Sequence, residues 1–267
     1  MTTTVIFVGH GTRSSLGQSE FHETCRLVEQ GIRRQRNILE ARATLNFQRS
    51  YLELAEPSLS ATLRRTSVHQ SECVIVAPLF LFEAGHMEHD IPHIIAESKL
   101  DYHSSVQVLP AVGVDERFVQ VTVERVREAG YPDDKPEAVL LLGRGNRSGS
   151  AQAVFEEVGL LVRQQIQPSC LETGHLAGTG RGCKEVLGCM VAKGYPRLHV
   201  QPYLCFHGWL TRQIPTWLNE WQQSRSGKRM PKVVIGEPLG IHPLLVDSMV
   251  DRVVAAVLSK EVPVFHG

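Results

Sequence analysis

Three side chains set the chemical question: His10, Glu53 and His86. His10 ends the apolar run Val5-Ile6-Phe7-Val8, stands between two glycines, and is followed by small polar residues. Neutral imidazole and carboxylate form a donor set that suits divalent iron, cobalt, nickel or zinc. Two histidines and one glutamate leave coordination positions open, which fits a site that handles a metal better than one that buries it for good. A hydrolytic zinc enzyme would use the same donors, so the ligands alone do not name a reaction. The sequence has no His-Glu-x-x-His helix and no Gly-x-Ser-x-Gly elbow. Gly9-His10-Gly11 also lacks the lysine of a phosphate loop and the third glycine of a dinucleotide fingerprint.

The elements around these residues predict where they lie. The run ending at Gly9 reads as a buried strand, and a helix with Phe21, Leu27, Val28 and Ile32 on its apolar face follows from about Gly17 to Asn37. Ala43–Phe47 reads as a second strand, and Pro57 suits the first turn of a helix running towards Val68. Glu53 then falls on the loop between them. Cys73–Pro78 reads as a third strand, and the helix after it starts near His86. His89 and His93 crowd beside His86, and His89 is its main competitor as a ligand. A fourth strand at Val106–Pro110 and a helix from Asp115 to Ala129 complete the unit. Four strand–helix alternations predict a parallel sheet flanked by helices. In such a sheet ligands bind at the carboxyl ends of the strands, where all three residues would sit.

After the polar stretch 130–136 the pattern starts again. Gly9-His10-Gly11-Thr12-Arg13-Ser14 is echoed by Gly143-Arg144-Gly145-Asn146-Arg147-Ser148. Leu52-Glu53 pairs with Leu171-Glu172, Pro78 with Pro202, and Gly85-His86 with Gly208-Trp209 when one residue is dropped. Pro110–Val114 pairs with Glu237–Ile241. The fold expected is therefore α/β, with two similar domains, 1–130 and 137–267, from an internal duplication. On this alignment the second copy has Arg144 for His10 and Trp209 for His86, and keeps the glutamate as Glu172. A structural role would persist in both copies; a ligand role need survive in only one.

The 267 residues carry 28 basic and 28 acidic side chains, a formal charge of zero. Nothing electrostatic calls for nucleic acid or an acidic membrane surface. No apolar run reaches membrane-span length, and Met-Thr-Thr-Thr opens the chain without a basic leader, so a cytoplasmic protein is expected. The six cysteines form no Cys-x-x-Cys pair and are expected reduced. Leu79-Phe80-Leu81-Phe82 in the first copy, and Leu204, Cys205, Phe206 and Trp209 in the second, would make apolar walls if the copies face each other. With Arg13, Arg144, Arg147 and Arg212 at a rim, such a cleft would suit a large flat apolar molecule bearing carboxylates.

Three stretches together carry a family resemblance. Val8-Gly9-His10-Gly11-Thr12-Arg13, Tyr51–Ser58 and Pro78-Leu79-Phe80-Leu81 through Gly85-His86-Met87-Glu88-His89-Asp90-Ile91-Pro92 resemble the class II chelatases. The chain is similar to the two-domain sirohydrochlorin chelatases of the SirB and long CbiX type. The resemblance implies a bilobal fold and ATP-independent insertion of a divalent metal into sirohydrochlorin, with His10, Glu53 and His86 as catalytic and metal-binding residues. Arg13, Arg144 and Trp209 become candidate substrate contacts. No organic cofactor is implied, since the metal, Fe²⁺ or Co²⁺, is itself a substrate. The absence of a His-rich stretch and of a C-terminal cysteine motif points to the ferrochelatase that makes sirohaem over the cobaltochelatase of cobalamin synthesis. A non-catalytic tetrapyrrole or metal carrier is the alternative from another class. The duplication makes a functional monomer the expectation, with a dimer as the other arrangement.

Overall fold

The computed structural model describes residues 2–35, 44–68, 72–98, 105–132, 137–224 and 230–259. Residues 133–136 of the expected linker, Ala43 of the expected second strand and Asn37 of the expected first helix lie outside these ranges. The first repeat runs β1 (Thr2–Gly9), α1 (Ser15–Arg34), β2 (Thr44–Tyr51), α2 (Leu59–Val68), β3 (Cys73–Pro78), a π-helical turn (His86–Asp90), α3 (Ile91–Glu97), β4 (Ser105–Val108) and α4 (Glu116–Glu128). The second runs β5 (Ala138–Gly143), α5 (Gly149–Ile166), β6 (Cys170–His175), α6 (Cys183–Ala192), β7 (Arg197–Tyr203), α7 (Trp209–Gln223), β8 (Lys232–Ile235) and α8 (Pro243–Leu258). Among the described residues no helix is long and apolar enough to cross a membrane.

The strands form two separate four-stranded parallel sheets, ordered β2-β1-β3-β4 and β6-β5-β7-β8. The first strand of each repeat lies inside its sheet and carries a buried apolar run. Val5, Ile6, Phe7 and Val8, and likewise Ala138 through Leu142, are fully buried, as expected of strands covered on both faces. In each sheet the chain order reverses beside the central strand, between β1 and β3 and between β5 and β7. Loops that leave the carboxyl ends there splay apart and open a crevice for a ligand.

The packed units depart from the expected domains 1–130 and 137–267. One unit comprises Met1–Val112 with Pro243–Gly267, the other Gly113–His242. Each repeat therefore gives its last helix to the other unit. Helix α8 lies on α1 and β3, and α4 lies on α5 and β7. The α1–α8 approach depends on Gly31, where a Cβ would come within 2.5 Å of Val250 Cγ2. The two exchanged helices are fastened alike. Arg252 donates to the carbonyls of Pro110 and Ala111, and Arg125 donates to that of Leu239 at 2.9 and 3.2 Å. Gly113 and Gly240 take the same left-handed turn, φ 66° and 62°, just before the exchanged helices. Identity between repeats marks where a sequence copy ends; it does not say on which sheet the last helix comes to rest.

A second departure is local. Pro57 was expected inside the first turn of a helix, but α2 begins at Leu59, and Pro57 follows a cis peptide bond in the preceding loop. Strand β2 continues to Tyr51, and the chain must then fold back over the β1 loop before α2 can start.

Candidate metal centre

His10 leaves β1 on a short turn held from both sides. Ser14 caps α1, its Oγ accepting from Gly17 N–H at 3.4 Å, and Gln18 donates to the Thr12 carbonyl at 2.7 Å. The β2 loop is tied to the same turn by backbone bonds of 3.0 Å from Leu52 N–H to Gly9 O and from Glu53 N–H to His10 O. Gly11 makes this approach achievable. It sits at φ 101°, and a Cβ there would lie 1.7 Å from the Glu53 carbonyl oxygen.

His86 arrives from β3. Leu79 N–H bonds to Val8 O at 2.9 Å, Val112 N–H bonds to Phe80 O at 2.8 Å, and the Glu83 carboxylate accepts from Ala111 N–H at 2.6 Å. The β3 loop is thereby pinned to both neighbouring strand ends. It enters a single π-helical turn in which Ile91 N–H reaches back to His86 O. Such turns are rare and concentrate at functional sites. Met87 and Ile91 are buried and anchor the turn, while His86 stays partly exposed.

The three side chains meet. Nε2 of His10 lies 3.3 Å from Glu53 Oε1 and 3.1 Å from His86 Nε2, and one ligand atom from each falls within 4.8 Å of the others. Ligands sharing a tetrahedral cation at about 2.0–2.1 Å stand roughly 3.3 Å apart, and the two spacings from His10 match that. Among the described residues no other group of three histidines, cysteines or carboxylates converges in this way. His86 Nδ1 is 2.5 Å from Asp90 Oδ2. That bond places the imidazole proton on Nδ1 and turns the Nε2 lone pair towards His10 and Glu53. Glu53 is half-exposed, so a proton it accepts has a path to water.

At the end of β2, His22 Nε2 lies 2.8 Å from the Tyr51 hydroxyl. Burial pushes the Tyr51 phenol up to about 12, and burial followed by the charge of Arg49 pulls His22 down. The bond ties α1 to the end of β2.

Of the other candidates, Arg13 is exposed on the β1 turn beside His10. His89 and His93 are exposed, and His89 is not in the converging set. Arg144 and Trp209 belong to the second unit, both exposed, at the end of β5 and the start of α7.

Strand registers correct one pairing made between the repeats. Gly9 pairs with Tyr51 and Gly143 with His175, and Ala177 N–H bonds to Arg144 O as Glu53 N–H bonds to His10 O. The equivalent of Glu53 is therefore Ala177, not Glu172. Glu172 lies inside β6, paired with Arg181 at 2.8 Å and Lys193 at 3.1 Å. Burial alone would raise its pKa, but the two cations outweigh burial and hold it below the usual carboxylate range. A Leu-Glu match drew the alignment; backbone register overrules it. By register, two of the three donors are thus replaced in the second repeat, by Arg144 and Ala177, while Trp209 stands opposite His86 on the sequence alignment alone. Sequence reasoning passed over Asp90, although a carboxylate four residues after a helical histidine was a usable signal.

Comparison with known proteins adds context. The CbiX family model matches residues 4–129 and again 138–256. A sirohydrochlorin ferrochelatase of Priestia megaterium is 28% identical over 212 residues, covering 79% of this chain and 77% of that one. A sirohydrochlorin ferrochelatase of Bacillus subtilis is 25% identical over 258 residues, covering 95% and 91%. The solved structure of SirB from Bacillus subtilis with Fe³⁺ superposes with a TM-score of 0.77 at 23% identity, over 97% of this chain and 96% of that one.

Proposed function

This chain belongs to the CbiX family, both of its halves matched by the family model, and from that premise we propose that it is a sirohydrochlorin ferrochelatase. The single observation that supports the proposal is the convergence of His10, Glu53 and His86, with one ligand atom of each within 4.8 Å of the others, in the one repeat that keeps them. The substrates are sirohydrochlorin and Fe²⁺, with no organic cofactor. The two repeats supply both sheets within one chain, which supports a functional monomer.

The residues divide the work by chemistry. His10 and His86 offer Nε2 lone pairs to the incoming cation, and Asp90 holds the His86 ring so that its lone pair faces the site. Two pyrrole N–H protons must leave as the metal enters the ring. Glu53, open to water and 3.3 Å from His10, accepts them in turn and passes them to solvent. Open coordination positions on the three-donor set let the ion pass from protein to macrocycle. Arg13, exposed on the same turn as His10, is assigned to the substrate's acidic side chains.

A time course under anaerobic conditions tests this reading, with sirohydrochlorin and Fe²⁺ in large excess and product followed by visible absorption. Many turnovers per protein are expected, faster with Fe²⁺ than with Co²⁺. A faster reaction with Co²⁺ would make the chain a cobaltochelatase. A spectral change that stops at one equivalent would make it a carrier.

A further inference from the structure

Leu54 follows Glu53 directly and has φ 61°, a left-handed conformation that leucine adopts only under strain. The residue is also 50% exposed. Neither feature serves the fold. The second repeat shows this directly, because the backbone bonds that place Glu53 and Ala177 at equivalent positions make Gly178 the counterpart of Leu54. Gly178 takes φ 80°, the same left-handed turn with no side chain at all. The loop therefore needs the backbone conformation and not the leucine, and glycine meets that need without strain. The leucine stands only in the copy that carries the metal set, next to one of its three ligands.

We infer that Leu54 is a substrate-contact residue: its exposed isobutyl group packs against the apolar face of the tetrapyrrole ring when the ring is seated over His10, Glu53 and His86. Strained residues persist where a function over-determines them, and here the function is an apolar surface held beside a polar ligand set. This inference rests on the chelatase reading for the identity of its ligand. Water leaves the exposed half of the side chain when the ring arrives. The contact is lost without disturbing Glu53 when glycine replaces leucine.

The experiment compares the wild type with Leu54→Gly and Leu54→Met. Three quantities are read: the KM for sirohydrochlorin, the affinity for Co²⁺ from its visible absorption without tetrapyrrole, and the melting temperature. In Leu54→Gly the KM is expected to rise about fivefold to tenfold, the transfer free energy of half a leucine side chain. Its Co²⁺ affinity stays at the wild-type value and its melting temperature does not fall. Leu54→Met restores most of the KM. An unchanged KM in Leu54→Gly would overturn the inference, and so would a parallel fall in Co²⁺ affinity, since the residue would then act through the metal set. Failure of the chelatase reading itself is visible separately, as absence of turnover in the wild type.

Discussion

Substituting Gly11→Ala tests the tie between the β1 and β2 loops on which the centre depends. The new Cβ would stand 1.7 Å from the Glu53 carbonyl oxygen, at a φ of 101°. Ordinary contact needs about twice that distance, so the Glu53 loop must retreat by more than an ångström, breaking the 3.0 Å bond to His10 O. Left-handed strain at a non-glycine residue adds about 1–2 kcal/mol, and the lost backbone bond about another 1 kcal/mol. The sum, roughly 2–3 kcal/mol, lowers the melting temperature by about 5–10 °C for a protein of this size. The second repeat supplies a matched control. Gly145→Ala meets the Ala177 carbonyl at 1.8 Å, at φ 86°, and should destabilise to the same degree. The two variants part in metal binding. Displacing Glu53 by an ångström costs on the order of a hundredfold in turnover and weakens Co²⁺ binding, whereas Ala177 carries no ligand. Thermal melts followed by circular dichroism and Co²⁺ titrations at low temperature read both effects. Equal loss of Co²⁺ affinity in both variants, or a wild-type melting temperature in Gly11→Ala, would refute the reasoning.

Two further outcomes follow from named groups. Asp90→Ala removes the carboxylate 2.5 Å from His86 Nδ1 and should weaken Co²⁺ binding about 10–100-fold while leaving the fold intact, as read by titration and circular dichroism. Stability should fall as pH drops below the ordinary histidine range, because burial lowers the pKa of His175, against a smaller opposing effect of Glu156, and also lowers that of His199. Both take up a proton less readily when folded, His199 despite the Glu137 carboxylate 2.6 Å away, so between the ordinary value and the lowered one the unfolded chain binds more protons and gains ground. His175→Tyr, which installs the residue found at the equivalent position of the first repeat, should flatten part of the fall in melting temperature as pH drops below the ordinary histidine range.

Much of the site was legible in the sequence because its signals are local. A β-branched run broken by Gly-His-Gly marks a strand end, and the asymmetry between His10 and Arg144 singled out the copy in which the three donors converge. Cys73–Pro78 was read to the residue because a fully buried strand is a continuous apolar run. The features that escaped depend on distance in space. Which sheet receives α4 or α8 is decided by packing such as Gly31 against Val250, far apart in sequence. The true counterpart of Glu53 is fixed by hydrogen-bond register, and Ala177 shares no chemistry with glutamate that a sequence comparison would notice. Leu54 was invisible for a related reason, since nothing in its neighbours announces a positive φ.

The central claim is that His10 and Glu53 serve the metal step. It is tested most directly by measuring sirohydrochlorin binding and Fe²⁺ insertion side by side in the wild type, His10→Ala and Glu53→Gln. Both variants are expected to bind the tetrapyrrole with near wild-type affinity and to lose insertion by about a hundredfold or more. Insertion at the wild-type rate in His10→Ala would contradict it.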